Sequence, residues 1–195
     1  MRIILASNNT AKTTEIAAFF AQLGITVLNY RDVLPQQVFP DETTDDMAAN
    51  ALQKAAFIAK MLPDEYVLGD DSGMFITALP EHFGAVTMRE FIAHDAYDDD
   101  AVNNYVLGLL AQHSNRRGYL QADFALVTPN GYLQSVGRGG VQVASAPRGS
   151  YSHGLDDIFE TETGKTLAEL PIKQRLPYAH RGRAAQDLVA QLNGR

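Results

Sequence analysis

The sequence contains no cysteine. Disulfides, thiol nucleophiles and zinc–thiolate sites are therefore excluded. It also lacks a surplus of basic residues: 16 Lys and Arg stand against 23 Asp and Glu, for a net charge of −7. Non-specific nucleic-acid binding needs a basic face, so that role is argued against, although a local pocket for a nucleotide is not. Long apolar runs are missing as well. The first, Met1 to Ala6, has the length of a strand and is too short for a signal-peptide core or a membrane span. A soluble cytoplasmic protein with no membrane partner is the expectation. Several catalytic signatures are absent. There is no His-Glu-x-x-His zinc motif, and the five histidines show no ligand spacing. The serines lack the flanking glycines of a nucleophile elbow. Gly164-Lys165-Thr166 is no P-loop, because Phe159 stands where Walker A needs its first glycine. Without repeats, low-complexity tracts or a linker, residues 1–195 read as one domain.

What is there alternates strand and helix. Arg2 to Ala6 reads as a buried strand, broken by the capping cluster Ser7-Asn8-Asn9-Thr10. A helix follows with Ile16, Phe19, Phe20 and Leu23 on one face and Gly24 at its end. Ile25 to Tyr30 fits a second strand, and Pro35 to Asp46 a polar loop. A helix is expected from about Asp45 to Met61, closed by Pro63. Tyr66 to Gly69 and Met74 to Leu79 read as two short strands on either side of a tight turn. Asp98-Asp99-Asp100 marks a helix start better than a metal site, since acidic residues favour helix N-termini. Tyr119 to Thr128 and Tyr132 to Ala144 alternate polar and apolar residues around Pro129-Asn130-Gly131, which predicts a hairpin, with Gly137, Gly139 and Gly140 bending its second strand. The last helix is expected over Arg183 to Leu192. This pattern predicts a mixed α/β sheet.

Four groups of residues carry chemistry. Gly69-Asp70-Asp71-Ser72-Gly73 brings two adjacent carboxylates to a presumed turn, where like charges need a cationic partner such as Mg2+. An Asx turn would use the same residue types. Ser7 to Lys12 opens a helix after a buried strand, so its free N–H groups, side-chain donors and Lys12 suit a phosphate; a plain N-cap with a solvated lysine is the simpler reading of it alone. Glu42 lies in the acidic loop, and Asn50 and Lys54 share one face of the following helix. Lys173 to Arg183 holds a dense set of cations, with His180 and Arg181 offering planar donors. Together they make a site for a nucleoside triphosphate and a metal ion.

In this order the motifs resemble the inosine triphosphate pyrophosphatase family, which acts on non-standard purine nucleotides. The family's Thr/Ser-x-Asn-x-x-Lys loop is similar to Ser7 to Lys12, and its Glu-Thr-Gly loop and Asn-Ala-x-x-Lys-Ala helix to Glu42-Thr43 and Asn50 to Ala55. Its Asp-Asp-Ser-Gly matches residues 70–73, its Gly-Tyr-Asp-Pro-Ile-Phe is similar to 154–159, its Lys-Thr-Phe-Ala-Glu-Leu to 165–170, and its Ser-His-Arg-Gly to 179–182. The resemblance implies an elongated, two-lobed α/β fold with a central mixed sheet and a nucleotide cleft between the lobes. It implies Mg2+-dependent release of pyrophosphate from ITP, dITP or XTP by a homodimer. Glu42 and Asp71 would hold the metal, with Asp71 also acting on the attacking water and Asp70 supporting it. Ser7, Asn8, Asn9, Thr10, Lys12 and Lys54 would grip the triphosphate. Ser72, His153, Gly154, Asp156, Arg175, His180 and Arg181 would hold the sugar and base.

The departures cluster at the base end. His153 stands where the family has a stacking aromatic residue, Leu155 replaces a tyrosine, Arg175 a lysine and Ala179 a serine. Thr44 replaces the loop glycine and Ala49 a glutamate. The phosphate and metal parts are kept while the base-reading parts are altered, so the alternatives are a hydrolase with changed nucleotide preference and a nucleotide-binding protein with little or no turnover.

Overall fold

Arg2–Leu5 forms the first strand (β1), and its three apolar residues are completely buried. The chain then turns into helix α1, Thr10–Gln22, capped by Asn9, whose side chain accepts from the Lys12 N–H. Gly24, at φ +76°, ends it. Strand β2 (Thr26–Asn29) returns parallel to β1. The computed structural model describes residues 1–42 and 46–194; Thr43, Thr44 and Asp45, expected in the acidic loop and at the next helix start, lie outside the described residues. Helix α2, Met47–Ala59, is capped by Asp46. Strand β3 (Val67–Ile76), helices α3 (Thr87–Ala93) and α4 (Asp99–Leu109), and strands β4 (Gly118–Thr128) and β5 (Gly131–Gly139) follow. Asp98 caps α4, as the acidic run predicts. Strands β6 (Gln142–Val143) and β7 (Phe159–Glu160), a short helix α5 (Ile172–Arg175) and helix α6 (His180–Asn193) complete the chain.

The main sheet has five strands in the order β2-β1-β3-β4-β5. β1 is parallel to both neighbours, whereas β3, β4 and β5 are antiparallel. The expected mixed α/β class with a central mixed sheet is thus borne out. One face packs on α1 and α6 through Ile3, Leu5, Ile16, Phe19, Phe20 and Leu188. The other packs on α2, where Ile4 and Val67 meet Ala55 and Ile58. Alternation along β1, with neighbours in opposite cores, is the pleat expressed in packing.

Three expectations are corrected. The first concerns the Asp pair, which lies on no turn: residues 67–76 are one ten-residue strand, paired to β4 throughout. Its glycines serve close packing instead. A Cβ on Gly69 would lie 2.0 Å from the Ala51 carbonyl oxygen of α2, and one on Gly73 would lie 2.3 Å from the Gly84 carbonyl oxygen. The second is the hairpin, whose return strand stops at Gly139. At Gly140 (φ +77°) the chain leaves the sheet, and β6 pairs with β7 in a separate two-stranded sheet. Gly137 and Gly139 do not bend β5; they let the start of α6 approach, since Cβ atoms there would meet backbone atoms of His180 at 2.1 and 2.3 Å. The third is the last helix, which begins at His180 rather than Arg183.

The register of β3 makes the site. β1 ends at Leu5 and covers only Val67 and Leu68 of β3. The β3 edge is met again at Met74, which bridges to Gly84. Between them, the edge from Gly69 to Gly73 faces the carboxyl end of β1, the place where open α/β sheets bind ligands.

Candidate active site

That stretch of edge borders a cavity of about 320 Å³. Ala6, Ser7, Asn8, Asn9 and Lys12 line it from the β1–α1 turn, Phe39, Pro40 and Glu42 from the acidic loop, Lys54 from α2, Asp70, Asp71 and Ser72 from β3, and Ala85 and Met88 from the segment above. The phosphate and metal residues expected from the sequence therefore converge. Thr10 does not join them: its hydroxyl accepts from Arg31, on the outer side of α1. The Asn8 side chain is held by Tyr30 and Gln37.

Because neighbours on a strand point to opposite faces, Asp70 and Asp71 do not confront each other. Asp71 turns toward α2. Its Oδ1 accepts from Lys54 Nζ at 3.0 Å and its Oδ2 from Asn50 Nδ2 at 3.1 Å. Lys54 also donates to Glu42 Oε1 at 2.8 Å, so one ammonium gathers two carboxylates from different elements. Burial opposes the charge of Lys54, but Asp71 and Glu42 outweigh it and raise its pKa. Across the ladder, Asp71 is paired in register with Asp123, also buried, on the same face. Burial and then the charge of Asp71 push the Asp123 carboxyl up, against a 2.8 Å bond from Gln121.

Asp70 turns toward α1 and α6. Lys12 Nζ donates to its Oδ2 at 2.9 Å, the Ser72 hydroxyl to its Oδ1 at 2.8 Å, and Arg181 Nε stands 3.5 Å away. Burial works against this charge, yet Lys12 and Arg181 hold the carboxyl far below the usual range. Arg181 is the hub between the two ends of the site. It donates to Ser72 Oγ at 3.1 Å and to Glu15 Oε2 at 2.7 Å. Arg181, in the first turn of α6, opposes the helix dipole, and the carboxylates of Glu15 and Asp70 offset that cost.

Beyond Glu15 lies the second cluster. Arg175 Nη1 donates to Asp156 Oδ2 at 2.6 Å and stands 3.9 Å from Glu15 Oε1. Burial and Glu15 raise the Asp156 pKa to about 6, although Arg175 lowers it. Burial and Arg181 push His180 down to about 3, so its imidazole is neutral. The His180 Nδ1 and the Nε atoms of Arg175 and Arg181 are buried without a hydrogen-bond partner. Buried orphaned polar groups cost free energy, yet Arg175, His180 and Arg181 stand outside the lining of the cavity. His153 is exposed and precedes the short 3-10 turn Gly154–Asp157 without a side-chain capping bond, with Gly154 at φ +70°.

Sequence reasoning missed Glu15 as the bridge, although its place three residues after Lys12 puts both on one helix face. It also missed Asp123, whose signal is an acidic residue at the centre of a strand just before the apolar run Phe124 to Val127, and Tyr30, which gives no local signal. Among the described residues no group of three or more His, Asp or Glu side chains forms a ready metal cage.

Known proteins resemble the chain over nearly its whole length. Residues 3–191 match the model of the Ham1 family. The chain is 36% identical to a dihydroneopterin triphosphate diphosphatase from Limosilactobacillus reuteri, over 97% of this chain and 96% of that protein. It is 33% identical to a dITP/XTP pyrophosphatase from Paracidovorax citrulli, over 100% and 99% respectively. Its fold matches the Staphylococcus aureus Ham1 protein with a TM-score of 0.80 at 26% identity, covering 100% of this chain and 99% of that one.

Proposed function

Because this chain belongs to the Ham1 family, we propose that it is a nucleoside triphosphate pyrophosphohydrolase that cleaves between the α- and β-phosphates and releases pyrophosphate. The observation that carries this reading is the pairing of Glu42 and Asp71 through Lys54 at a cavity entered by the start of α1. Two hard carboxylates from different elements fit Mg2+, which usually takes one or two carboxylates and completes its shell with substrate phosphates and water. Glu42 and Asp71 would hold it; when bound, it offsets phosphate charge and activates water. The chain's own groups do the rest. Lys12, Lys54 and the free N–H groups of the α1 start bind the triphosphate. Asp71 orients the attacking water. Asp70, neutralised by Lys12 and Arg181, keeps those two cations in place.

The base end supports deaminated purines, as named for the relatives that act on dITP and XTP. The Arg175 Nε–H, buried without a hydrogen-bond partner, suits an oxo group, and a neutral His180 can accept or donate. A second reading is favoured by the relative named for dihydroneopterin triphosphate: a pteridine also presents an oxo group, and an exposed imidazole at position 153 demands less stacking area than a large aromatic ring. Both substrates lose pyrophosphate, so the triphosphate end is common to them. The test is a pyrophosphate-release screen of purified protein with Mg2+ over ITP, dITP, XTP, the common nucleoside triphosphates and dihydroneopterin triphosphate. Preference for the deaminated purines supports the first reading, and preference for the pteridine the second. Binding without release from any of them would mark the chain as a nucleotide-binding protein. The family reading also carries a cytoplasmic homodimer, to be checked by sedimentation.

A further inference from the structure

The phosphate-binding turn and the loop that carries Glu42 are tied together by one buried hydroxyl. Tyr30 follows β2 and is fully buried. Its hydroxyl donates to Asn8 Oδ1 at 2.5 Å and accepts from the Gln37 backbone N–H at 2.9 Å. Asn8 Nδ2 closes the ring by donating to the Gln37 carbonyl at 3.0 Å. Both backbone groups of Gln37 are thereby satisfied by Tyr30 and by Asn8 of the β1–α1 turn. The contact continues through packing. The Tyr30 ring meets Phe39 edge-on at 5.6 Å, and Phe39 leans on Phe57 of α2 at 5.6 Å. Phe39, Pro40 and Glu42 line the same cavity as Asn8 and Asn9. Fixing an irregular loop costs conformational entropy at every residue, so a loop that must hold a carboxylate in place needs such an anchor.

We propose that Tyr30 is a positioning residue: its hydroxyl latches the Glu42 loop to the phosphate-binding turn and so sets the separation of the metal ligand from the triphosphate. The functional meaning rests on the pyrophosphohydrolase reading above; the latch rests on the hydrogen bonds alone. Sites hold ligands in productive geometry only when such outer contacts lock the inner ones.

Tyr30→Phe keeps the ring and its contact with Phe39 and removes only the hydroxyl. In hydrogen–deuterium exchange of the ligand-free full chain, amides of residues 36–42 should exchange roughly 5- to 10-fold faster, with α1 and α6 unchanged. The Mg2+ concentration for half-maximal pyrophosphate release should rise by a similar factor, while the nucleotide KM at saturating Mg2+ moves less. Asn8→Ala breaks the same ring from an exposed position and should give the same exchange pattern, which decides the matter should Tyr30→Phe fail to fold. Unchanged exchange over 36–42 in a folded variant, or a rise spread evenly over the chain, overturns the latch. So does an unchanged Mg2+ half-point when the wild type is active. A wild type that releases no pyrophosphate refutes the functional reading only, and exchange then judges the latch by itself.

Discussion

At the scale of the residue, adjacent aspartates have separate tasks because the pleat separates them. Asp71 shares a cation with Glu42, while Asp70 is spent on Lys12 and Arg181. Substitution should separate them too. Asp71→Asn keeps shape and removes charge, so turnover should fall by roughly 10²-fold or more with folding intact. Asp70→Asn leaves two cations facing a neutral amide in a buried site, and stability should fall by on the order of 3 kcal/mol. Steady-state pyrophosphate release and urea denaturation, measured on both variants, check this. Near-normal turnover of Asp71→Asn would remove it from the chemistry, and an unchanged denaturation midpoint for Asp70→Asn would deny it the structural role.

At the scale of the element, the decisive feature is a long strand with the wrong composition. Gly, Asp and Ser are depleted in strands, so the stretch from Gly69 to Gly73 predicts a turn by local preference. Tertiary contacts override it: β4 pairs with all of it, and α2 lies on Gly69 too closely for any side chain. Gly69→Ala should therefore cost at least about 3 kcal/mol, because the clash is with backbone. Gly108→Ala, inside α4 with open space around it, should instead stabilise by about 0.5–1 kcal/mol. Denaturation midpoints moving in the same direction for the two would contradict this account. The same contrast explains what was legible in the sequence. Periodic elements such as α1, α2 and β4 announce themselves, and Asn9, Asp46 and Asp98 cap where capping chemistry predicts. The cavity-lining residues Ser7, Asn8, Asn9 and Lys12 were visible as a helix start with a lysine. What stayed hidden depends on contacts distant in sequence: the strand through the Asp pair, the early start of α6 on glycines of β5, and the Glu15–Arg181 bridge, whose partners are 166 positions apart.

At the scale of the whole molecule, the buried cluster of His180, Arg181, Glu15, Arg175 and Asp156 stores opposed titrations that shape how the fold responds to acid. His180 drops from 6.5 to about 3 on folding, mainly through burial and then Arg181. Between those values the unfolded chain takes up a proton that the native site refuses, so this term removes stability as the pH falls from 6.5 toward 3. Asp156 rises from 3.8 to about 6, through burial and then Glu15. In that window the native site keeps a proton that the unfolded chain releases, so this term removes stability as the pH rises from 3.8 toward 6. Over roughly pH 4 to 6 the two cancel in the wild type. Substitution exposes each one. Relative to wild type, His180→Gln should gain stability as the pH is lowered through this range, and Asp156→Asn should lose it. Each slope is bounded by about 1.4 kcal/mol per pH unit, the value for one proton. Urea denaturation of the three ligand-free proteins at a series of pH values measures both slopes, and slopes of the same sign would show that the two groups do not titrate against each other. The physical reason to expect opposite signs is that one buried cluster disfavours charge on an imidazole beside Arg181 and on a carboxyl beside Glu15, and the unfolded chain imposes neither constraint.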